Sequence, residues 1–145
     1  MKIRKYKNIK RSRNFGFSLI EILVVMTMMA VLMGIVATKM STNTQKGYVK
    51  ATRLMIKKLQ MAGESFNSDM GYYPKSLDAL VNDNGDPNWL GPYAGKKEIK
   101  DAWHNEFSIS TPGQDGEEFS ITSYGKDKSP GGSKFDKDIN SWELN

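Results

Sequence analysis

The 145-residue sequence contains no cysteine, a single histidine and five prolines. Without cysteine there can be no disulfide, zinc-thiolate site, iron–sulfur cluster or thiol nucleophile, although exported proteins can also lack the residue and the compartment stays open. With His104 as the only histidine, His-cluster metal sites are excluded, and a Ser-His-Asp triad could be built only through that residue. The length suits one domain and rules out a multi-domain enzyme. Acidic residues are missing from one place: residues 1–16 hold none, against Lys2, Arg4, Lys5, Lys7, Lys10, Arg11 and Arg13. The formal net charge of +5 therefore belongs to that stretch, and everything after Gly16 sums to −2.

A long apolar run follows. From Phe17 to Ala37 seventeen of 21 residues are apolar, the exceptions being Ser18, Glu21, Thr27 and Gly34, and there is no proline. As a helix this run is about 30 Å long, the thickness of a bilayer core, which predicts a transmembrane segment. The basic leader then lies in the cytoplasm and the C-terminal part outside. A cleaved secretory signal would have a shorter apolar core and a small-residue exit, whereas Thr38, Lys39, Met40 and Ser41 follow here. Glu21 sits inside the run, where an unpaired carboxylate costs roughly 2.5 to 3.5 kcal/mol at a helix centre and less near the interface. Snorkelling or protonation would relieve that cost, and so would a cationic partner.

The stretch Arg13-Asn14-Phe15-Gly16-Phe17-Ser18-Leu19-Ile20-Glu21 joins a basic leader ending in glycine to a phenylalanine and an apolar run with glutamate fifth. It resembles the leader of type IV prepilins and of the pseudopilins of type II secretion. The resemblance implies that a membrane-embedded prepilin peptidase cuts between Gly16 and Phe17 and N-methylates Phe17. It also implies that Glu21 meets the terminal amine of a neighbouring subunit during assembly, an ion pair that would offset much of the cost of the buried carboxylate.

Beyond the membrane, Tyr48, Ala51, Met55, Leu59, Ala62 and Phe66 recur at helical spacing, with Lys50, Arg53, Lys57, Lys58 and Glu64 on the other faces. One helix is expected from about Phe17 to about Asn67, comprising a transmembrane part (17–38) and an amphipathic continuation (39–67). Gly34 and Gly47 are its possible weak points. Residues 68–145 form a head small enough for an apolar core alone to be marginal. Gly71-Tyr72-Tyr73-Pro74 turns the chain, and Ser76 can cap a short helix through Val81. Glu106–Ser110 and Glu118–Ser123 alternate polar and apolar residues around the turn residues 111–116, which predicts an antiparallel hairpin with Phe107, Ile109, Phe119 and Ile121 on one face. The fold class is α+β: a long N-terminal helix packed on a small antiparallel sheet.

From Lys126 to Asp138 the only large apolar residue is Phe135, so this loop should be either disordered or held by something. Asp127, Asp136, Asp138 and Asn140 offer hard oxygen ligands, but Ser141 stands where an EF-hand would need glycine, and the chain ends before a twelfth-position glutamate. Acidic residues in a loop are ordinarily a solvated surface, with a bound cation the alternative.

Along the head the motifs Gly71-Tyr72-Tyr73-Pro74, Ser76-Leu77-Asp78-Ala79-Leu80-Val81, Trp89-Leu90-Gly91-Pro92-Tyr93, Asp101-Ala102-Trp103-His104-Asn105, Ser123-Tyr124-Gly125-Lys126-Asp127, Pro130-Gly131-Gly132 and Asp138-Ile139 with Trp142 occur in order. Together they resemble the major pseudopilins of type II secretion, the G subunits. Type IV pilins share the leader but usually close the head with a disulfide. The resemblance implies Ca²⁺ in the last loop, held by Asp127 and Asp138 and the Tyr124 carbonyl, with Asp136 replacing a neighbouring acid of the family pattern. It further implies a non-enzymatic subunit, anchored by one pass in the inner membrane with a periplasmic head. That subunit would polymerise with itself into a periplasmic pseudopilus and act with minor pseudopilins, the assembly platform and the prepilin peptidase, but not with nucleic acid. Two departures stand out. The family's Asp-Pro-Trp-Gly-Asn-Pro is Asp101-Ala102-Trp103-His104-Asn105-Glu106 here, which predicts a looser turn, and Lys128 stands where glycine is usual. A type IV pilin, a DNA-uptake pseudopilin and, remotely, a membrane-tethered periplasmic enzyme are the other readings.

Overall fold

The computed structural model describes residues 16–144. The basic residues Lys2 to Arg13 lie outside them. In chain order the elements are α1 (Leu19–Met70), α2 (Asp78–Val81), β1 (Ser108–Ser110), β2 (Ser120–Ser123), β3 (Ile139–Asn140) and a 3-10 helix (Ser141–Glu143). The chain divides into two compact units at Lys39/Met40, a boundary that falls within α1.

In the first unit the helix begins just after Ser18, whose carbonyl accepts from Glu21 N at 3.0 Å and Ile22 N at 3.2 Å. Every residue from Gly16 to Lys39 is exposed, so this apolar surface is covered by nothing among the described residues. The threonine hydroxyls in and just past the run do not spoil it. Thr27 Oγ1 donates to the Val24 carbonyl at 2.8 Å and Thr38 Oγ1 to the Ile35 carbonyl at 2.9 Å, so both are satisfied within the helix. The helix also runs through Gly34 without a break.

In the second unit, the rest of α1 buries Thr52, Ile56, Leu59, Ala62, Gly63 and Phe66. Of these, Ile56, Leu59, Ala62 and Phe66 pack with Leu77, Leu80, Ala94, Phe107, Phe119, Ile121 and Ile139 in one apolar core. The buried face differs from the expected stripe in its first half. Thr52 and Ile56 are fully buried, Ala51 and Met55 are at the edge, and Tyr48 is exposed. A threonine is passed over when only apolar residues are scored, yet Thr52 Oγ1 accepts a hydrogen bond from Ala102 N at 3.3 Å and is thereby satisfied in the core.

The helix ends three residues later than expected, where Gly71 takes φ 76° and its N–H donates to the Asn67 carbonyl at 2.8 Å. The short second helix begins at Asp78 rather than next to Ser76. Ser76 Oγ still accepts from Ala79 N, at 3.4 Å.

The expected hairpin is present. β1 and β2 pair antiparallel with Ile109 opposite Ile121, and Phe107, Phe119 and Ile121 are buried. A third strand, β3, pairs antiparallel with β2 through Ser123 and Ile139, giving the order β1-β2-β3. Thus the head is a helix laid on a three-stranded antiparallel sheet, the α+β arrangement expected.

Candidate functional site

The described site residues singled out by the sequence lie in two places. The first is the N-terminal edge of the helix. Gly16 and Phe17 precede the helix outside any regular element, and Phe17 is 78 % exposed. Glu21 lies in the first turn of α1, fully within an exposed apolar surface that includes Ile20, Ile22 and Leu23. This helix is long and apolar enough to cross a membrane. A carboxylate there makes no ion pair among the described residues, so in hydrocarbon it would need a cation from beyond them.

The second place is the loop between β2 and β3. Its backbone is tied across itself: Lys126 N donates to the Phe135 carbonyl at 3.0 Å and Asp138 N to the Gly131 carbonyl at 3.2 Å. Two glycines make this closure possible. A Cβ on Gly132, which has φ 79°, would come within 2.4 Å of the Asp136 carbonyl oxygen, and one on Gly125, at φ 65°, within 2.9 Å of the Phe135 oxygen. Lys128 and Lys134 also adopt left-handed backbone, at φ 61° and 57°. The loop is therefore held by its own backbone, one of the two alternatives its composition allowed.

Within it, Asp138 is half-buried. Its Oδ2 accepts from Gly131 N at 2.9 Å, whereas its Oδ1 is buried with no hydrogen-bond partner. Asp127 is exposed and its Oδ1 accepts from Ser129 N at 3.2 Å. Tyr124 and Asp136 are half-buried on the two arms, with the Asp136 backbone against Gly125. Among the described residues no three acidic or histidine side chains converge, so the three aspartates do not form one carboxylate cluster. A hard cation here would rest on fewer carboxylates, with backbone carbonyls completing the shell. The donor set fits such an ion at one point above all, since a buried carboxylate oxygen without a donor is otherwise costly.

A third group was missed by reading the sequence alone. Asp101 is 3 % exposed. Its Oδ1 accepts from Trp103 N at 2.9 Å and Asn105 N at 2.8 Å, and its Oδ2 accepts from Ser123 Oγ at 2.7 Å. Asn105 Nδ2 donates to the Gly125 carbonyl at 2.8 Å, next to Tyr124. The turn from Asp101 to Asn105 is consequently tight, not looser as the lost prolines suggested. One carboxylate caps its backbone, and His104 takes the left-handed position at φ 68° where the family pattern has glycine. An aspartate four residues before an asparagine, between two aromatic segments, was the available signal.

An apolar N-terminal helix with glutamate near its start, ahead of a small helix-on-sheet head, defines the pilin-like class of membrane-anchored subunits. Residues 11–37 match the prokaryotic N-terminal methylation motif. Residues 39–142 match the model for type II secretion system protein G, and the chain belongs to that family. It is 35 % identical over 130 residues to the type II secretion system core protein G of Xanthomonas campestris pv. campestris, covering 89 % of this chain and 90 % of that one. With the protein of the same name from Pseudomonas aeruginosa it shares 32 % identity over 141 residues, 92 % of this chain and 99 % of the relative. The fold resembles the crystal structure of the major pseudopilin from the type 2 secretion system of enterohaemorrhagic Escherichia coli, with TM-score 0.55, 22 % identity, and coverage of 70 % of this chain and 91 % of that one.

Proposed function

We propose that this chain is the major structural subunit of a type II secretion pseudopilus, a polymer-forming protein with no catalytic role of its own. The observation that carries this reading is Glu21 in an apolar helix with every side chain around it exposed. An apolar surface of that length must be covered by lipid or by copies of itself, and a carboxylate within it calls for a cation. Cleavage after Gly16 supplies one, because it creates a terminal amine at Phe17. Prepilin peptidase makes this cut on the cytoplasmic side and methylates the amine, which stays basic. The precursor waits in the inner membrane by a single pass, with its head in the periplasm. During assembly Glu21 pairs with the amine of the next subunit, and lipid contact is exchanged for helix contact. Minor pseudopilins and the assembly platform are the other partners, and filament growth drives folded proteins across the outer membrane.

The last loop is proposed as a Ca²⁺ site using Asp138, Asp127 and the Tyr124 carbonyl, with Asp136 in reach of the same loop. The unpartnered Asp138 Oδ1 supports this. When bound, the ion would supply structural cross-linking of a loop that has little apolar content.

The processing and assembly steps are separable. In a cell containing the secretion machinery, Gly16→Ala should leave full-length precursor in the membrane, whereas Glu21→Ala should be cut and yet form no filaments. Mature-sized product from the first variant, or normal filaments from the second, would refute the corresponding step.

A further inference from the structure

Charge in the mature chain is segregated. Between Glu21 and Glu64 the sequence has Lys39, Lys46, Lys50, Arg53, Lys57 and Lys58 and no acid, while from Glu64 onward 15 acids stand against eight lysines. The fold gathers part of the basic band into a concave feature. Within the second unit, Lys46, Val49, Lys50 and Arg53 of α1 and Lys134 and Phe135 of the last loop line an open cleft of about 630 Å³. Four cations and no carboxylate line it. The ion pairs among the described residues are Lys58–Glu98 at 4.0 Å, Lys100–Glu106 at 3.9 Å and Lys137–Glu143 at 3.5 Å, and none of them uses a cleft cation. Val49 and Phe135, both half-buried, give the cleft an apolar floor. Cations around an apolar floor suit a loop that brings carboxylates together with some buried area.

The chain itself carries the complementary surface. Asp78, Asp83 and Asp86 lie in a stretch with no cation from Leu77 to Gly95, and Asp115 and Glu118 in another from Phe107 to Gly125, where Glu117 is already held by Ser141 Oγ at 2.6 Å. Neither stretch lines the cleft of its own chain. We infer that the cleft receives an acidic head loop of a second copy, so that lateral contacts between heads are set by a basic helix face against an acidic loop. This rests on the reading of the chain as a self-polymerising subunit and adds a contact outside the membrane helix. Opposite charges meeting across the interface would speed correct docking and disfavour the register in which basic faces oppose each other.

The full chain, expressed with its secretion machinery, tests this. Lys46→Glu combined with Lys50→Glu should leave mature-sized protein in the membrane at wild-type level while reducing sheared filaments at least tenfold. A second measurement does not depend on that variant folding well. Because the chain has no cysteine, Lys50→Cys paired with Asp83→Cys or with Asp115→Cys should give oxidised dimers in otherwise wild-type filaments through one of the two loops. Wild-type chain that makes no filaments would instead remove the subunit reading itself. If wild type polymerises, unchanged filament yield in the charge-reversed variant together with no cross-link from either cysteine pair overturns the cleft proposal. An anionic lipid is the competing occupant. Should the reversed variant lose binding to phosphatidylglycerol vesicles over phosphatidylcholine vesicles and keep its filaments, the second-copy contact is also overturned.

Discussion

The Ser123 hydroxyl donates to Asp101 Oδ2 at 2.7 Å and joins two buried residues that are 22 positions apart. This bond closes a circuit. The turn from Asp101 to Asn105 is capped by the same carboxylate, Asn105 Nδ2 holds the Gly125 carbonyl, and Gly125 N returns to Ser123 Oγ at 3.2 Å. The end of β2 and the start of the last loop are thereby fixed to the segment that docks on α1 through Ala102 N and Thr52 Oγ1. Ser123→Ala should leave a buried carboxylate oxygen without its donor and cost about 1 to 3 kcal/mol in urea unfolding. Asp101→Ala should cost more, because it also frees the backbone N–H groups of Trp103 and Asn105. The double variant should lose about as much as Asp101→Ala alone, since both changes break one network. Fully additive losses would show that the circuit does not act as a unit.

Two glycines of α1 should respond to alanine in opposite directions. At Gly47 an added Cβ meets nothing within 4 Å, so Gly47→Ala should stabilise the unit from Met40 onward by about 1 kcal/mol through helix propensity. At Gly63 the Cβ would come within 2.4 Å of Phe119 Cζ. That ring is also held by Tyr73, stacked on it with centroids 5.0 Å apart. Gly63→Ala should therefore destabilise by about 1 to 3 kcal/mol despite the same propensity gain. Thermal melts of the two variants beside the wild type decide the matter, and a stabilised Gly63→Ala would mean that the ring yields freely.

Alkaline pH should weaken the head through two tyrosines. Burial raises the Tyr73 phenol above its ordinary value of 10.0, helped by its hydrogen bond to Glu64. For Tyr93 burial again raises the value, the hydrogen bond from Leu90 N lowers it, and the bond donated to Asp69 Oδ2 at 2.8 Å raises it. Both groups favour the protonated form more in the folded state than in the unfolded one. Their contribution is complete below the unfolded value near 10 and is lost as pH rises through the folded values. Stability measured between pH 9 and 11 should fall, and should fall less steeply for Tyr73→Phe and Tyr93→Phe. Parallel profiles for wild type and both variants would remove the tyrosines as the cause.

Patterns carried by side-chain period were legible in the sequence, and features carried by backbone or by single polar groups were not. The apolar run from Phe17 to Ala37, the α+β class and the pairing of Ile109 with Ile121 all follow from hydrophobic spacing. The two-residue strand Ile139–Asn140 was invisible because a period cannot be read over two positions. Thr52 escaped because its burial depends on a hydrogen bond from Ala102 N, 50 residues away. The turn at Asp101 looked loose because prolines and a glycine were counted as missing, whereas its rigidity comes from a carboxylate accepting two backbone N–H groups. The leader, Phe17 and Glu21 stood out because chemistry there is written in consecutive residues. The loop aspartates could be picked out one by one, but not how few of them converge.

Removing calcium should separate a held loop from a merely closed one. The backbone bonds from Lys126 to Phe135 and from Asp138 to Gly131 close the loop without any ion, so chelation should not unfold the head. Asp138 Oδ1, buried and without a donor, is the group whose cost the ion would relieve. Binding that favours only the folded state adds about 2.7 kcal/mol when free Ca²⁺ is one hundred times its dissociation constant. Wild-type melting temperature should therefore fall by several degrees when EDTA replaces millimolar Ca²⁺. In Asp138→Ala the melting temperature should be the same in both buffers and close to that of the chelated wild type, because removing the unpaired Oδ1 offsets the loss of the bond that Oδ2 accepts from Gly131 N. Asp127→Ala should shrink the calcium response while leaving the chelated melting temperature unchanged, since this residue is exposed and its carboxylate accepts the local bond from Ser129 N. A wild-type melting temperature indifferent to EDTA would eliminate the metal site and leave the loop held by its backbone alone.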